Sequence, residues 1–421
     1  MRIAASIVLI GGLVFLAHLF EFLFSRTRIP DVLWLLLIGV ALGPVFHLLS
    51  PAAFGVVGPA FVAVTLVLIL FESGLSLHWK RLRRALPGTL ALTTLSFVGE
   101  AAVVALATAF LTHLGAWRSA LLGVVVAGNS PTVIVPLTKG LRMGDHTRDV
   151  LFLESALGDV VSIVLALALL DFHVNGWSHW AGTAAAFVLG FGGALLIGGL
   201  GGLAWAMALR RTRGLQNPMF TTPAFVFLIY GGAELLHANG AIAALAFGIV
   251  LGNVEQSPLI RDALPAVGLN RAERDFLGEI VFLLKTFFFV YIGLSVRFTD
   301  RNWLLFGGFL TLLLLLPRIP SVRLALRARA PLRDACFAAC MIPKGLAAAV
   351  LAALLVEQQV PGGETLQSII YAMIFFGVVV TSLAVFLVSH PAGARAMAWL
   401  LGRPDSAEPA SGSVPAPASG R

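Results

Sequence analysis

Apolar stretches of about 20 residues recur along the whole chain, and as helices each is long enough to cross the roughly 30 Å hydrocarbon layer of a bilayer. Cutting at polar or proline-bearing breaks gives spans near 3–24, 31–49, 53–77, 87–114, 117–139, 148–171 and 180–209. After these come 219–236, 239–253, 272–296, 302–326, 332–356 and 365–389. The expected fold class is an all-α polytopic membrane protein of about 13 transmembrane helices. Composition agrees, since 58% of the 421 residues are hydrophobic and only 12% charged, about half the charged share of an average soluble domain. An ordinary soluble enzyme is excluded.

The basic residues sort by side. Loops after odd-numbered spans, with the C-terminal stretch, hold 23 of the 29 Lys and Arg, and are densest at Lys80–Arg84, Arg210–Arg213 and Arg318–Arg333. The opposite side holds Arg2, Arg118, Arg297 and Arg301, while Lys285 and Lys344 fall inside spans. An excess of Lys and Arg marks the cytoplasmic side. The N-terminus is therefore expected outside and the C-terminus in the cytoplasm, in a multi-pass protein of the cell inner (plasma) membrane. The first span has about 20 apolar residues and no Ala-x-Ala exit, so it is expected to stay rather than be cleaved as a signal peptide. Residues 1–402 are expected to form the transmembrane domain, and residues 403–421, rich in Pro, Ala, Ser and Gly, a disordered cytoplasmic tail. Cys336 and Cys340 stand one helical turn apart, which offers neither a disulfide framework nor a four-ligand zinc site.

A charged side chain at mid-membrane costs about 3 kcal/mol on insertion scales. Glu72, Glu154, Asp159, Lys285 and Lys344 all fall within spans, which implies about 15 kcal/mol before any pairing. They are expected to face a wet cavity, to pair with one another, or both. Glu100, Glu234 and Glu279 read as nearer span ends, where the stem stays in lipid while the carboxylate reaches water.

The sixth span carries two carboxylates within six residues. At helical periodicity Ser155 and Asp159 share a face, whereas Glu154 points about 140° away from Asp159. Ser155 and Asp159 can therefore offer oxygens to one ligand, and Glu154 is expected to meet a neighbouring helix. Hard oxygen ligands suit sodium, lithium, potassium or a proton rather than soft transition metals.

Two other spans are interrupted at mid-depth, the fifth by Gly128-Asn129-Ser130-Pro131-Thr132 and the twelfth by Ile342-Pro343-Lys344-Gly345. Proline removes a backbone donor and glycine loosens the helix, and irregular backbone at this depth survives only beside a cavity or inside protein. Spans five and twelve are seven apart. Spans 1–6 and 8–13 are thus expected to be two inverted six-helix repeats, with the seventh as linker and the broken helices at the binding site. Lys285 lies mid-span in the tenth helix, and Lys344, in the second break, is a candidate partner for Glu154.

In the order and spacing of these motifs the chain resembles the monovalent cation:proton antiporter superfamily, in particular prokaryotic sodium/proton exchangers with thirteen spans. The resemblance runs over about residues 20–390. It is carried by Ile29-Pro30-Asp31-Val32-Leu33 with Gly43-Pro44, Leu70-Phe71-Glu72-Ser73-Gly74-Leu75, Asn129-Ser130-Pro131, Glu154-Ser155 with Asp159, Phe288–Ser295 and Pro343-Lys344-Gly345. It implies that Asp159 carries the ion and the proton, with Glu154 and Ser155 beside it and Glu72 on the third span. It implies crossed broken helices at Asn129–Thr132 and Pro343–Gly345. It also implies a homodimer, in which spans 1–3 and 8–10 form the scaffold and spans 4–6 and 11–13 the moving core. Three positions depart from the family pattern: Gly158 stands where Asn or Asp is usual, Ser130 where Asp is usual, and Lys344 where many members carry Arg.

The expected activity is exchange of a monovalent cation for protons at one site made by Asp159, Ser155, Glu154, Glu72, Asn129 and Ser130, with Asp159, Ser155 and Glu72 as the metal ligands. A desolvated carboxylate is costly as a bare anion, so a cation and a proton compete for it. With one carboxylate at the carrier position, exchange is expected one for one, although Lys285 could release a second proton. Lys285 and Lys344 are the charge-compensating residues, and Pro131, Thr132, Pro343 and Gly345 shape the breaks. Two alternatives are a cation channel using the same carboxylates and a sodium-coupled symporter of an organic solute. Enzyme signatures such as His-Glu-x-x-His and Gly-x-Ser-x-Gly do not occur, and no cofactor or nucleic-acid partner is expected.

Overall fold

The structure, a computed structural model, describes residues 11–19, 22, 31–49, 57–77, 79–175, 180–212, 218–236, 238–254, 269–296, 300–326 and 330–402. The expected tail at 403–421 and the Ile29-Pro30 pair lie outside the described residues. Every regular element among the described residues is helical. In chain order the helices are α1 (residues 11–19), α2 (Asp31–Val40, continued by a π turn over Ala41–Val45), α3 (Val57–Ser76), α4 (Trp79–Leu111), α5 (Ala116–Val126) and α6 (Pro131–Gly140). Next come α7 (Asp145–Asn175), α8 (Trp180–Thr212), α9 (Thr221–Leu235), α10 (Gly240–Asn253), α11 (Arg271–Ser295) and α12 (Arg301–Leu313). The last are α13 (Leu315–Leu326), α14 (Leu332–Cys340), α15 (Leu346–Glu357), α16 (Gly363–Val388) and α17 (Pro391–Leu400).

Among the described residues, six stretches are long and apolar enough to cross a membrane: Ala85–Leu111, Asp145–Leu170, Leu189–Leu209, Arg271–Ser295, Arg301–Leu326 and Gly363–Val388. Shorter apolar helices, among them Ala116–Val126, Gly240–Asn253 and Ala347–Glu357, lie between them. Local chemistry sets several ends. At the start of α11 the Asn270 side chain accepts from the Glu273 N–H at 2.8 Å, and Glu273 accepts from the Asn270 N–H at 2.7 Å, a reciprocal capping box. The chain turns into α5 and α16 through Gly115 and Gly362, whose φ values of 83° and 78° favour a residue without a Cβ.

Helix packing in a bilayer gains little from the hydrophobic effect and relies on close backbone approach. Among the crossings built that way, two set glycine on glycine. Where α2 meets α11, a Cβ added to Gly39 would stand 2.8 Å from the Gly293 Cα, and one added to Gly293 would stand 2.8 Å from the Gly39 Cα. Where α3 meets α10, a Cβ on Gly74 would lie 3.0 Å from the Gly248 Cα. Beside these pairs, α4 packs on α5, α7 and α13, while α16 packs on α12 and α15. The second group carries both helix breaks.

Alanine at Gly248 or Gly293 has backbone, not a yielding side chain, in its way. Gly248→Ala and Gly293→Ala are expected to destabilise the protein by about 1–3 kcal/mol, read as a lower thermal midpoint in detergent. Gly192, with nothing within 4 Å of an added Cβ, is the control. Its alanine variant is expected to hold or raise the midpoint, because alanine favours a helix by about 1 kcal/mol over glycine.

Candidate functional site: a charged network at two broken helices

α5 stops at Val126 and α6 begins with Pro131, a residue suited to a first helical position because no N–H is needed there. α14 stops at Cys340 and α15 begins at Leu346. The two irregular segments meet: the Ser130 N–H donates to the Pro343 carbonyl at 2.8 Å. Gly345 permits this approach, since a Cβ there would overlap the Ser130 side chain. Carbonyls freed by the breaks are capped by side chains from neighbouring helices. The Ser162 hydroxyl of α7 is shared between Val124 O (2.5 Å) and Val125 O (3.1 Å), and Arg318 Nε of α13 donates to Ala338 O at 3.1 Å.

α7 runs beside the first break with two glycines face to face. A Cβ on Gly158 would stand 3.4 Å from the Gly128 Cα, and a Cβ on Gly128 would stand 3.2 Å from Asp159 Oδ1. The Asp159 carboxylate therefore lies directly against the irregular backbone.

Four charged side chains are sealed around this crossing. Glu100, Arg318 and Lys344 are 0% exposed and Glu154 is 3% exposed. Lys344 Nζ donates to Glu100 Oε2 at 2.5 Å and to Asn129 Oδ1 at 2.9 Å. The Asn129 amide in turn donates to Glu154 Oε1 at 3.1 Å. Arg318 grips Glu154 with two nitrogens, Nη1 on Oε1 at 2.5 Å and Nη2 on Oε2 at 3.1 Å, and also reaches Ser96 Oγ at 3.1 Å. Two cations and two anions thus form one chain through the Asn129 amide. Asp159, 7% exposed, stands apart: among the described residues no hydrogen bond or ion pair engages its carboxylate, and Lys344 is the charged residue that acts on it electrostatically. Ser155 donates its proton to Phe152 O at 2.8 Å, which leaves its oxygen lone pairs to accept.

Asn129, Ser130, Pro131, Glu154, Ser155, Asp159, Pro343, Lys344 and Gly345 thus lie on or beside the two breaks. Thr132 is in the first turn of α6, with its side chain outside the described residues. Glu72 is half-buried on α3, whose main partner is α10. Lys285 is half-buried on α11, its Nζ 5.8 Å from the centre of the Phe282 ring, on a helix that packs against α2.

Three expectations are corrected. Lys344 does not pair with Glu154 but with Glu100, and reaches Glu154 only through Asn129. Glu154 is held instead by Arg318, which is not part of a basic loop but buried within the Arg301–Leu326 stretch. Glu100 does not snorkel from a span end, because it lies near the middle of Ala85–Leu111 and is fully buried. Both missed residues left a signal, a charge with apolar neighbours on each side within a largely apolar stretch.

Removing one member of a buried pair strands the other charge at about 3–5 kcal/mol, whereas replacing both with apolar residues is often neutral. Arg318→Met and Glu154→Leu are each expected to lower the thermal midpoint sharply, and the double variant to recover most of the loss. Losses that simply add in the double variant would show that the pair is not coupled.

The transmembrane domain described as "Sodium/hydrogen exchanger, transmembrane" matches residues 12–389. The chain is 28% identical over 261 residues to sodium/hydrogen exchanger 8 of Rattus norvegicus, covering 56% of this chain and 43% of that protein. It is 28% identical over 181 residues to the K(+)/H(+) antiporter NhaP of Alkalimonas amylolytica, covering 41% of this chain and 31% of the relative. The matched region thus spans less than half the length of these curated relatives. In fold it is similar to the sodium proton antiporter MjNhaP1 of Methanocaldococcus jannaschii at pH 8, with a TM-score of 0.71 at 20% identity over 96% of this chain and 100% of that one. With nearly its whole length matched, the chain belongs to the sodium/hydrogen exchanger family, a family of membrane transporters and not of enzymes.

Proposed function

We propose that this chain is a secondary active transporter that exchanges a monovalent cation, sodium foremost, for protons by alternating access, with cation and proton competing at Asp159. The observation that carries this reading is the charge balance. Glu100 faces Lys344 and Glu154 faces Arg318, so the network neutralises itself and leaves the Asp159 charge over. One carboxylate binds one monovalent cation or one proton, which makes the exchange one for one and electroneutral. Asp159 and Ser155 supply oxygens to the cation, with Asn129 and Ser130 at the break and Glu72 as a further acid on its route. Oxygen donors of this kind accept sodium, lithium or potassium. Relatives named for sodium and for potassium support the class of substrate.

The thirteen-span, inverted-repeat reading is supported by the helix contacts. Exchanging spans 1–6 with spans 8–13 turns the α2–α11 glycine crossing into the α10–α3 glycine crossing. It also maps the meeting of the two breaks onto itself. In this reading spans 1–3 and 8–10 are the scaffold and dimer domain, spans 4–6 and 11–13 move around the ion, span 7 links them, and two copies form a homodimer. The protein sits in the inner (plasma) membrane with the C-terminus in the cytoplasm, where it serves pH homeostasis.

The test is cation-dependent pH change in proteoliposomes with sodium, lithium and potassium. Asp159→Asn is expected to abolish the response, and exchange at the wild-type rate would show that another residue is the carrier. In the wild type, clamping the membrane potential is expected to leave the rate unchanged. A rate that follows the potential would instead bring in Lys285 as a second proton donor.

A further inference from the structure

The turn between α6 and α7, residues 141–144, is gripped by two neighbouring residues of α14 to which the exchange reaction assigns no part. Asp334, 4% exposed and in the first turn of α14, accepts the Gly144 N–H on Oδ2 at 2.9 Å. Arg333 donates through Nη2 to the Leu141 carbonyl at 3.1 Å, and its guanidinium carbon lies 5.6 Å from the centre of the Phe337 ring, one turn further along α14. Leu141 and Met143 are buried in one apolar cluster with Ala335, Phe337 and Ala338 of α14. Between them Arg142 has a φ of 50°, a left-handed value that a residue other than glycine keeps only where its surroundings impose it. Gly144 leaves room for the carboxylate, since a Cβ there would stand 3.1 Å from Asp334 Oδ2.

These contacts close a ring of structure around the site. α6 has 10 residues and leaves the crossing at Pro131, and α14 has 9 and returns to it at Cys340. At helical rise the two are about 15 and 14 Å long. One end of the pair is fastened by the Ser130 N–H on the Pro343 carbonyl, the other by Arg333 on the Leu141 carbonyl. Along their lengths the two half-helices lean on different neighbours, α6 on α7 and α14 on α13 and α16. With the far end unfastened they could scissor about the crossing. α7 is tied to the same point, because it begins at Asp145, the residue after the Gly144 that Asp334 holds, and Asp159 lies further along it against the first break.

From this double fastening we infer that Arg333 and Asp334 are positioning residues of the ion site: through the 141–144 turn they lock α6, α14 and the start of α7 into one frame, which holds the Asp159 carboxylate in register with the crossing. A proton needs a single oxygen of Asp159 and binds wherever that oxygen points. A metal cation needs several oxygens at set distances, so Asp159, Ser155 and the break must keep their spacing while access alternates. The frame therefore serves the cation more than the proton. It does so from the far end of the half-helices, without touching the ion. The inference rests on the exchange reading above and adds to it the residues that keep the site in register.

The test pairs two measurements on the full chain: amide deuterium uptake in detergent, which reads the frame, and sodium-driven exchange in proteoliposomes, which reads its service to the ion. Asp334→Ala removes the acceptor for Gly144. It is expected to speed uptake at residues 127–133 and 341–346, to leave the glycine crossing of α3 with α10 as in the wild type, and to raise the apparent KM for sodium about tenfold with a smaller change in maximal rate. Asp334→Asn keeps an oxygen for the Gly144 N–H and is expected to restore both readings. Should Asp334→Ala not accumulate, Arg333→Leu opens the frame at Leu141 and is read in the same way. Unchanged uptake at the breaks, or uptake raised evenly over the whole protein, would overturn the frame. Faster uptake at the breaks with a wild-type KM would overturn the positioning role, and so would an Asn variant as impaired as the Ala one. A wild type that exchanges no cation would sink the exchange reading instead, while the uptake result still decides the frame.

Discussion

The balance of two buried cations against two buried anions is the constraint on which the site depends. None of Glu100, Arg318 and Lys344 has any contact with solvent, and Glu154 has almost none. Each would be intolerable alone. Their pairing ties α4 to the second break and α7 to α13, so three helices and the second break are fixed by charge before any apolar contact is considered. Asn129 joins the two pairs and its orientation follows from them. Its oxygen faces an ammonium and its nitrogen a carboxylate, and the reverse would set donor on donor and acceptor on acceptor. The amide that holds the pairs apart also anchors the backbone against which Asp159 lies.

Much of this arrangement is legible in the residues. Pro131, just after Asn129 and Ser130, and Pro343, just before Lys344, mark the breaks through proline and polar residues together in otherwise apolar runs; proline alone does not, since α4 continues through Pro87 and α13 through Pro320. Two acids within six residues of a membrane span mark α7 in the same way. The pairing is not legible, because Lys344 is separated from Glu100 by 244 positions and only tertiary structure brings them together. Arg318 is hidden for another reason. It stands just before Arg323 and the basic run near Arg333, and counting charges by side absorbs it into that run although Leu315, Ile319 and Val322 surround it in sequence. A positive charge flanked on both sides by apolar residues belongs to the span, not to the loop beyond it.

The three positions that the sequence reading sets apart from the family pattern, Gly158, Ser130 and Lys344, are connected in space. Gly158 brings bare backbone against Gly128, next to the Asn129 whose amide reaches Glu154. Ser130 is small enough to fit against Gly345 at the crossing. Lys344 finds its counter-charge in Glu100, which a basic residue elsewhere would leave stranded. Changes that look like three separate losses in the sequence are thus mutually fitted within one crossing.

The glycine crossings of α2 with α11 and of α3 with α10 have a consequence for handling the protein outside a bilayer. Their cohesion comes from backbone lying on backbone, through dispersion and Cα–H to carbonyl contacts that need neither lipid nor salt. The network at the breaks is held by charge and depends on which protons are in place. Extraction into detergent or a change of acidity therefore strains the two halves unequally. The glycine-packed helices keep their register as a rigid yoke, and disorder begins where the half-helices meet.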